Sequence, residues 1–218
     1  MPIDRKKISP ARSSNSERFE RVVRQIDPHY RLVRSWELEG GVSARVTALE
    51  VENSDGRTTK LIVRRHGERD FMRNPHVAAD EFRLLNLLQS AGVAVPMPYH
   101  LDESGEIFPT PYLVIEYIEG ETEAFPSLVA EHVCQLATQL VKIHGVTTSN
   151  TDLSFLPPAD DFSERPTTLD ETLNEGRIRE TLESVGPVSH RNDPGLLHGD
   201  YWPGNILWRD GQLAAVID

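Results

Sequence analysis

The final segment of the chain decides the fold, and it reads Leu196-Leu197-His198-Gly199-Asp200-Tyr201-Trp202-Pro203-Gly204-Asn205-Ile206-Leu207-Trp208, then Arg209-Asp210-Gly211-Gln212, then Leu213-Ala214-Ala215-Val216-Ile217-Asp218. The Asp210-Gly211 pair between two short apolar runs is a hairpin signal. A hairpin that leaves Asn205 and returns toward Asp218 brings those side chains together, although they are thirteen positions apart. The sequence therefore predicts that Asp200, Asn205 and Asp218 converge on one point.

Two aspartates and an asparagine in this arrangement suit phosphoryl transfer. The reaction needs a base or orienter for the attacking hydroxyl, and oxygen ligands that hold magnesium on the nucleotide phosphates. Protein kinases take these groups from an aspartate, an asparagine five residues later, and a further aspartate after a hairpin. Asp200 and Asn205 have the same spacing. The alternative is that aspartate, glycine and asparagine simply form a turn, as they often do.

The segment resembles the H-G-D-x-x-x-x-N catalytic loop of the aminoglycoside phosphotransferase family, in which glycine replaces the kinase arginine. The resemblance implies that Asp200 is the catalytic aspartate and that Asn205 and Asp218 are magnesium ligands. It also implies that His198 anchors the loop backbone rather than transferring protons. The implied enzyme moves the γ-phosphoryl group of Mg-ATP to a hydroxyl of a small molecule, either aminoglycoside-like or another alcohol.

The upstream half has the order sheet, helix, sheet. Strand-like segments at 30–38, 44–52 and 60–65 predict an antiparallel meander. A helix then begins with Asn74 as N-cap and Pro75 at its first position, and its apolar stripe ends at Gly92. Two further strands are predicted near 99–101 and 112–117. Before the sheet, Ser14 and Glu17 have the spacing of a capping box that opens a short helix.

The C-terminal half changes to helical patterns. A long helix is predicted at 127–144, and a moderately helical stretch at 169–185 follows a loop. The fold class is therefore α+β, a protein-kinase-like two-lobed fold with an antiparallel N-lobe sheet plus helix and an incomplete, mainly helical C-lobe. The predicted divisions are a disordered tail at 1–15, a nucleotide-binding N-lobe at 16–118 and a partial C-lobe with the catalytic loop at 119–218.

Candidates for the nucleotide phosphates follow from the same resemblance. Glu39-Gly40-Gly41-Val42-Ser43 resembles the family's G-G-x-S loop, so Gly41 and Ser43 are expected to cover the phosphates, although a Gly-Gly turn can be a plain hairpin. Arg64 occupies the place of the kinase lysine, with Arg65 and Lys60 as rivals. Arginine can contact phosphates or carboxylates in a bidentate way.

Two further positions complete the predicted nucleotide site. Glu81, early in the first long helix, matches the glutamate that pairs with this cation, although it could be a solvated charge on a helix face. The run 113–118 resembles the strand and hinge whose backbone groups hold adenine, and it supplies Glu116 and Ile118. ATP and Mg2+ are therefore the expected cofactors.

Composition limits the partners. The 218 residues contain 23 Lys and Arg against 34 Asp and Glu, a net charge of -11, which would repel a nucleic acid backbone. No apolar window suits a membrane span, and the N-terminus lacks the apolar core of a signal peptide, so a cytoplasmic protein without membrane contacts is expected. The single cysteine, Cys134, lies in a helical apolar pattern and is expected to be buried.

The chain departs from the family at its end. Relatives continue beyond the position of Asp218 through several helices, so an exposed C-lobe surface and homo-oligomer formation are expected. A truncated or noncatalytic nucleotide-binding pseudokinase module is the alternative function. A two-metal phosphoesterase built on Gly199-Asp200 and Asp27-Pro28-His29 would need further histidine ligands in ordered motifs, and the other histidines are scattered.

Overall fold

The structure is a computed structural model that describes residues 10–38, 44–122, 129–157, 168–185 and 194–217. Three predicted site residues, Gly41, Ser43 and Asp218, lie outside these ranges.

Five antiparallel strands form the N-terminal sheet in the order β1-β2-β3-β5-β4. The strands are β1 (Arg31–Glu37), β2 (Ala44–Glu52), β3 (Thr58–His66), β4 (Pro98–Asp102) and β5 (Tyr112–Glu116). β2 and β3 pair without interruption from Ala44 opposite His66 to Glu52 opposite Thr58. The predicted meander is confirmed, and β3 extends beyond both ends of the predicted 60–65.

The remaining elements are mostly helical. The helices are α1 (Pro10–Ile26), α2 (Glu68–Arg73), α3 (Val77–Ser90), α4 (Val129–His144) and α5 (Glu175–Val185). Single 3-10 turns lie at Glu171–Leu173 and Pro203–Asn205. A separate two-stranded hairpin consists of β6 (Ile206–Arg209) and β7 (Gln212–Val216).

The starts of the two helices predicted in the N-terminal half are both wrong. α1 begins at Pro10, so Ser14 lies inside the helix and residues 10–15 are not a disordered tail. Proline suits a first helical turn, and the helix continues upstream of the local capping pattern. α3 has His76 as its N-cap, without a side-chain cap. Asn74 instead closes a turn before the helix, where its Oδ1 accepts the His76 N–H at 2.9 Å.

Strand alternation divides the core around the N-terminal sheet between the two faces of the sheet. Leu61 and Val63 of β3 pack with Phe19, Val22 and Val23 of α1. The intervening Ile62 packs with Ala78 and Phe82 of α3. Because successive side chains of a strand point to opposite faces, Arg64 shares the α3 face with Ile62. The sheet is thus covered by α1 on one face and by α3 on the other.

A separate apolar cluster joins the β6–β7 hairpin to both α3 and α4. Its buried members are Leu88, Val93, Val95, Ile143, Ile206, Trp208 and Val216. The Val216 N–H also donates to the Ala94 carbonyl over 2.7 Å. These contacts fix the hairpin, and with it the preceding loop at 196–205, against the segment that follows α3.

Replacing Ile206 by alanine is expected to lower the free energy of unfolding by about 2–5 kcal/mol, because the fully buried side chain would leave a cavity in this cluster. Chemical denaturation measures the change. Val141→Ala, on the exposed side of α4, is the control and should cost much less. Equal losses for the two variants would contradict a packed cluster around Ile206.

Several apolar side chains of the C-terminal half are exposed. They include Val129, Val133 and Val141 of α4 and Ile178, Leu182 and Val185 of α5. Cys134 is also exposed, so the predicted buried thiol is wrong. The periodic pattern correctly predicted the helix. Against the described residues, however, α4 buries only the side that faces away from these exposed residues. Among the described helices, none has the length and apolar character needed to cross a membrane.

Candidate active site

The catalytic-loop candidate is a tight turn in which Asn205 folds back onto Asp200. The Asn205 side-chain amide donates to Asp200 Oδ2 and to the Asp200 carbonyl, each over 3.0 Å. Gly199, directly before the aspartate, has a φ of 85°, a region that a residue with a side chain rarely adopts. The turn thus orients the exposed Asp200 carboxylate through the asparagine five residues later.

The β6–β7 hairpin returns the chain to Asn205, as predicted. Asp210 and Gly211 form its turn with φ angles of 52° and 76°, the positive values that a two-residue hairpin turn requires. On the return strand, the Ile217 N–H donates to the Asn205 carbonyl over 2.9 Å. The backbone is therefore beside Asn205 one residue before Asp218, which itself lies outside the described residues.

Two side chains hold the loop in place. His198 Nδ1 accepts the Asp200 N–H over a long 3.4 Å, which agrees with the expected contact to the loop backbone. The Tyr201 hydroxyl donates to the Leu136 carbonyl in α4 over 2.8 Å, and burial raises its pKa. The tyrosine thereby ties the loop to α4. Tyr201 escaped the sequence analysis, because a tyrosine in a loop carries no signal of its distant partner.

The predicted cation and its carboxylate partner meet on the α3 face of the sheet. Arg64 Nε lies 3.4 Å from Glu81 Oε2, and the two side chains are 17% and 18% exposed. Glu81 is therefore not a solvated helix-face charge. His66 Nε2 lies 2.8 Å from the same carboxylate oxygen. The sequence did not lead us to predict a contact for His66. The signal was its position two residues after Arg64, because residues two apart on a strand lie on the same face.

The rivals of Arg64 lie elsewhere. Arg65 points to the α1 face, where its guanidinium carbon lies 4.4 Å from the ring centroid of Phe108. Lys60 forms an ion pair with Glu119, which raises the pKa of the lysine. The geometry favours Arg64 because, of the three, it is the one that contacts the carboxylate of α3.

The predicted hinge follows β5, which is buried in the sheet between β3 and β4. The Glu116 N–H donates to the Met97 carbonyl over 2.8 Å, so a backbone contact from Glu116 to a ligand would have to use its carbonyl group. Ile118 lies beyond the end of β5 and is half-buried.

The segment after the hinge is joined to the β6–β7 hairpin by a pair of backbone hydrogen bonds. The N–H groups of Glu121 and Trp208 each donate to the other residue's carbonyl over 2.9 Å. Gly120 lies against this bridge, and a Cβ at its position would be 2.9 Å from the Trp208 carbonyl oxygen. This junction fixes the hairpin relative to the predicted hinge.

Replacing Gly120 by alanine is expected to lower the free energy of unfolding by about 1–3 kcal/mol, because the added methyl group must displace the backbone of Trp208. Urea denaturation provides the measurement. Glu121→Ala is the matched control, since it keeps both backbone hydrogen bonds of the bridge. If Gly120→Ala were no less stable than this control, the close approach would have no energetic consequence.

Comparison with known proteins gives one family match and two similar folds. The profile of APH, the phosphotransferase enzyme family, matches residues 37–218. A candidate aminoglycoside phosphotransferase from Ralstonia eutropha JMP134 superposes with a TM-score of 0.55 at 15% identity, covering 93% of this chain and 64% of that one. The macrolide 2'-phosphotransferase MphH from Brachybacterium faecium gives 0.55 at 16% identity, with coverages of 94% and 71%. Both likenesses show the fold.

A mouse protein, acyl-CoA dehydrogenase family member 10, is 26% identical over 180 residues, which cover 73% of this chain and 16% of that protein. The present chain thus spans a small part of this relative and less than two thirds of the Ralstonia eutropha structure.

Proposed function

Because the chain belongs to the APH family of phosphotransferase enzymes, we propose that it transfers the γ-phosphoryl group of Mg-ATP to a hydroxyl group of a small molecule. The observation that carries the proposal is the pair formed by Asp200 and Asn205, beside which the β6–β7 hairpin returns. A turn formed for structural reasons alone would not need an exposed carboxylate held by an asparagine at the kinase spacing.

Asp200 is proposed to act on the acceptor. Its carboxylate orients the acceptor hydroxyl and receives its proton as the oxygen attacks the γ-phosphorus. A bond forms between the acceptor oxygen and phosphorus, and the bond from phosphorus to the β–γ bridging oxygen breaks. The leaving group is ADP, which carries away the electrons of that bond.

Arg64 is proposed to hold the nucleotide phosphates, and Glu81 to hold Arg64. A guanidinium group restrained by a half-buried carboxylate loses less freedom when it meets a phosphate, which favours binding. Gly41 and Ser43 are proposed to cover the phosphates, and the backbone of Glu116 and Ile118 to contact adenine.

The donor chemistry of Asn205 fits a magnesium ligand. Its NH2 group is engaged by Asp200, which leaves the carbonyl oxygen as the side-chain atom available to a hard cation. Asp218 is the proposed second ligand. Bound magnesium would neutralise charge that develops on the phosphate oxygens.

The direct test is an assay with Mg-ATP and a set of hydroxyl acceptors that includes an aminoglycoside, a macrolide and simple amino alcohols. The expected result is ADP release that depends on one acceptor class, with the phosphorylated product identified by mass spectrometry. Calorimetry should detect nucleotide binding in the same preparation. Nucleotide binding without transfer to any acceptor or to water would support a noncatalytic nucleotide-binding module instead.

The partners follow from charge and site type. The acceptor is proposed to be a small molecule rather than a nucleic acid, since the net charge of -11 opposes a polyanion. Association of copies through the exposed apolar side chains of α4 stays a prediction, which light scattering can check.

A further inference from the structure

Three arginines gather on the α1 face of the sheet, away from the candidate active site. Arg45 and Arg65 are direct cross-strand partners of β2 and β3. Arg18 of α1 approaches the same place, since its guanidinium carbon lies 6.0 Å from the Phe108 ring centroid and that of Arg65 lies 4.4 Å from it. Side chains directly opposite on an antiparallel pair are separated by about 5 Å at Cβ.

This grouping of like charges is unfavourable, and the nearby carboxylate of Glu37 offsets only part of the repulsion. Like charges placed directly opposite on a strand pair are destabilising. The pKa of Arg65 is lowered first by burial and then by Arg45, with a smaller effect of Arg18, while Glu37 opposes the shift. The clustering is unexpected in a chain with 34 acidic and 23 basic residues, which has enough carboxylates to pair each arginine.

Arg65 also has an unused donor. Its Nε atom is buried and has no hydrogen-bond partner among the described residues. A buried charged donor without a partner costs free energy, and a bound anion would offset that cost through its attraction to the Arg65 charge. Arg45 and Arg18 are both exposed, so a ligand could reach them from solvent.

We propose that Arg18, Arg45 and Arg65 form an anion site for a phosphate group, either the free ion or the phosphate of a small metabolite. Planar guanidinium groups bind phosphate oxygens in a bidentate way, and three of them can surround a tetrahedral anion. The site is distinct from the proposed nucleotide site because Arg64 and Arg65 point to opposite faces of β3.

The test is the melting temperature of the protein in phosphate and in chloride at equal ionic strength, with Mg-ADP present throughout to fill the nucleotide site. Wild-type protein should be stabilised by phosphate, and glycerol 3-phosphate in a parallel titration distinguishes the metabolite from the free ion. Arg45→Gln should weaken the apparent phosphate affinity at least about tenfold, because one of three guanidinium groups is lost. In chloride, the same variant should melt about 1–3 °C higher through relief of repulsion.

Arg57→Gln is the matched control, since Arg57 is exposed at the other end of the β2–β3 pair, beside Asp55. It should respond to phosphate like the wild type, as should Arg64→Gln. The proposal would be overturned by a wild type that phosphate does not stabilise, by equal responses of Arg45→Gln and Arg57→Gln, or by loss of the response in Arg64→Gln.

Discussion

Asp200→Ala is expected to lower kcat by about 10³-fold or more, in the range found when a positioned base is removed. The affinity for Mg-ATP should change little, because the proposed phosphate contacts come from Arg64 and the magnesium contacts from Asn205. ADP release measures the first quantity, and calorimetry with a nonhydrolysable nucleotide measures the second. Measuring kcat and nucleotide affinity separately is necessary because a general loss of structure would lower both of them.

Two companion variants show whether turnover depends on the charge of Asp200 or on the conformation of the turn. Asp200→Asn keeps an acceptor for the Asn205 amide, so it preserves the turn but should still be inactive. Asp210→Asn removes a carboxylate from the hairpin turn, where asparagine tolerates the φ of 52°, and should keep full activity. Turnover that is unchanged in Asp200→Ala would eliminate Asp200 as the catalytic group.

The features that the sequence predicted well are those encoded locally. The β6–β7 hairpin followed from Asp210-Gly211, a dipeptide that accepts the required positive φ angles. The bounds of β2 followed from the turn signals in the sequence on either side, Gly40-Gly41 and Ser54-Asp55-Gly56. The kinase-like fold was accessible because one short loop carries a spacing that the chemistry imposes, and the family match across residues 37–218 agrees with it.

Features that depend on distant partners were not predicted. The Tyr201 hydroxyl donates a hydrogen bond to a carbonyl 65 positions upstream. His66 contacts Glu81 only because α3 packs against β3. Cys134 lies in an apolar helical pattern and was predicted to be buried, yet it is exposed. Which side of α4 packs against the described residues depends on the tertiary structure and not on the local pattern. Helix starts failed for a related reason, since Asn74 has two ways to satisfy nearby N–H groups and uses the turn.

A double-mutant cycle on Arg64 and Glu81 is expected to show strong coupling in nucleotide use. Each single change, Arg64→Gln and Glu81→Gln, should lower kcat/KM for ATP by about 10²-fold, or about 2.7 kcal/mol. The double variant should be little worse than either, because Glu81 is proposed to act only by holding Arg64. Steady-state kinetics at saturating acceptor provides the three values.

The identity of the coupled pair depends on two further variants. Lys60→Gln removes a β3 cation that pairs with Glu119 and should leave kcat/KM within about twofold, the range of a surface pair. His66→Gln removes the other neighbour of Glu81. It distinguishes a Glu81 carboxylate that acts through Arg64 from one that acts through His66. If Glu81 acts through Arg64, His66→Gln should retain most of the activity. If His66→Gln instead lowers kcat/KM as much as Glu81→Gln does, and the Arg64–Glu81 cycle is additive, His66 is the functional partner of Glu81. Additivity at Arg64 would therefore contradict the proposal that Glu81 acts by holding Arg64, because a cation held in place by a carboxylate cannot be indifferent to the loss of that carboxylate.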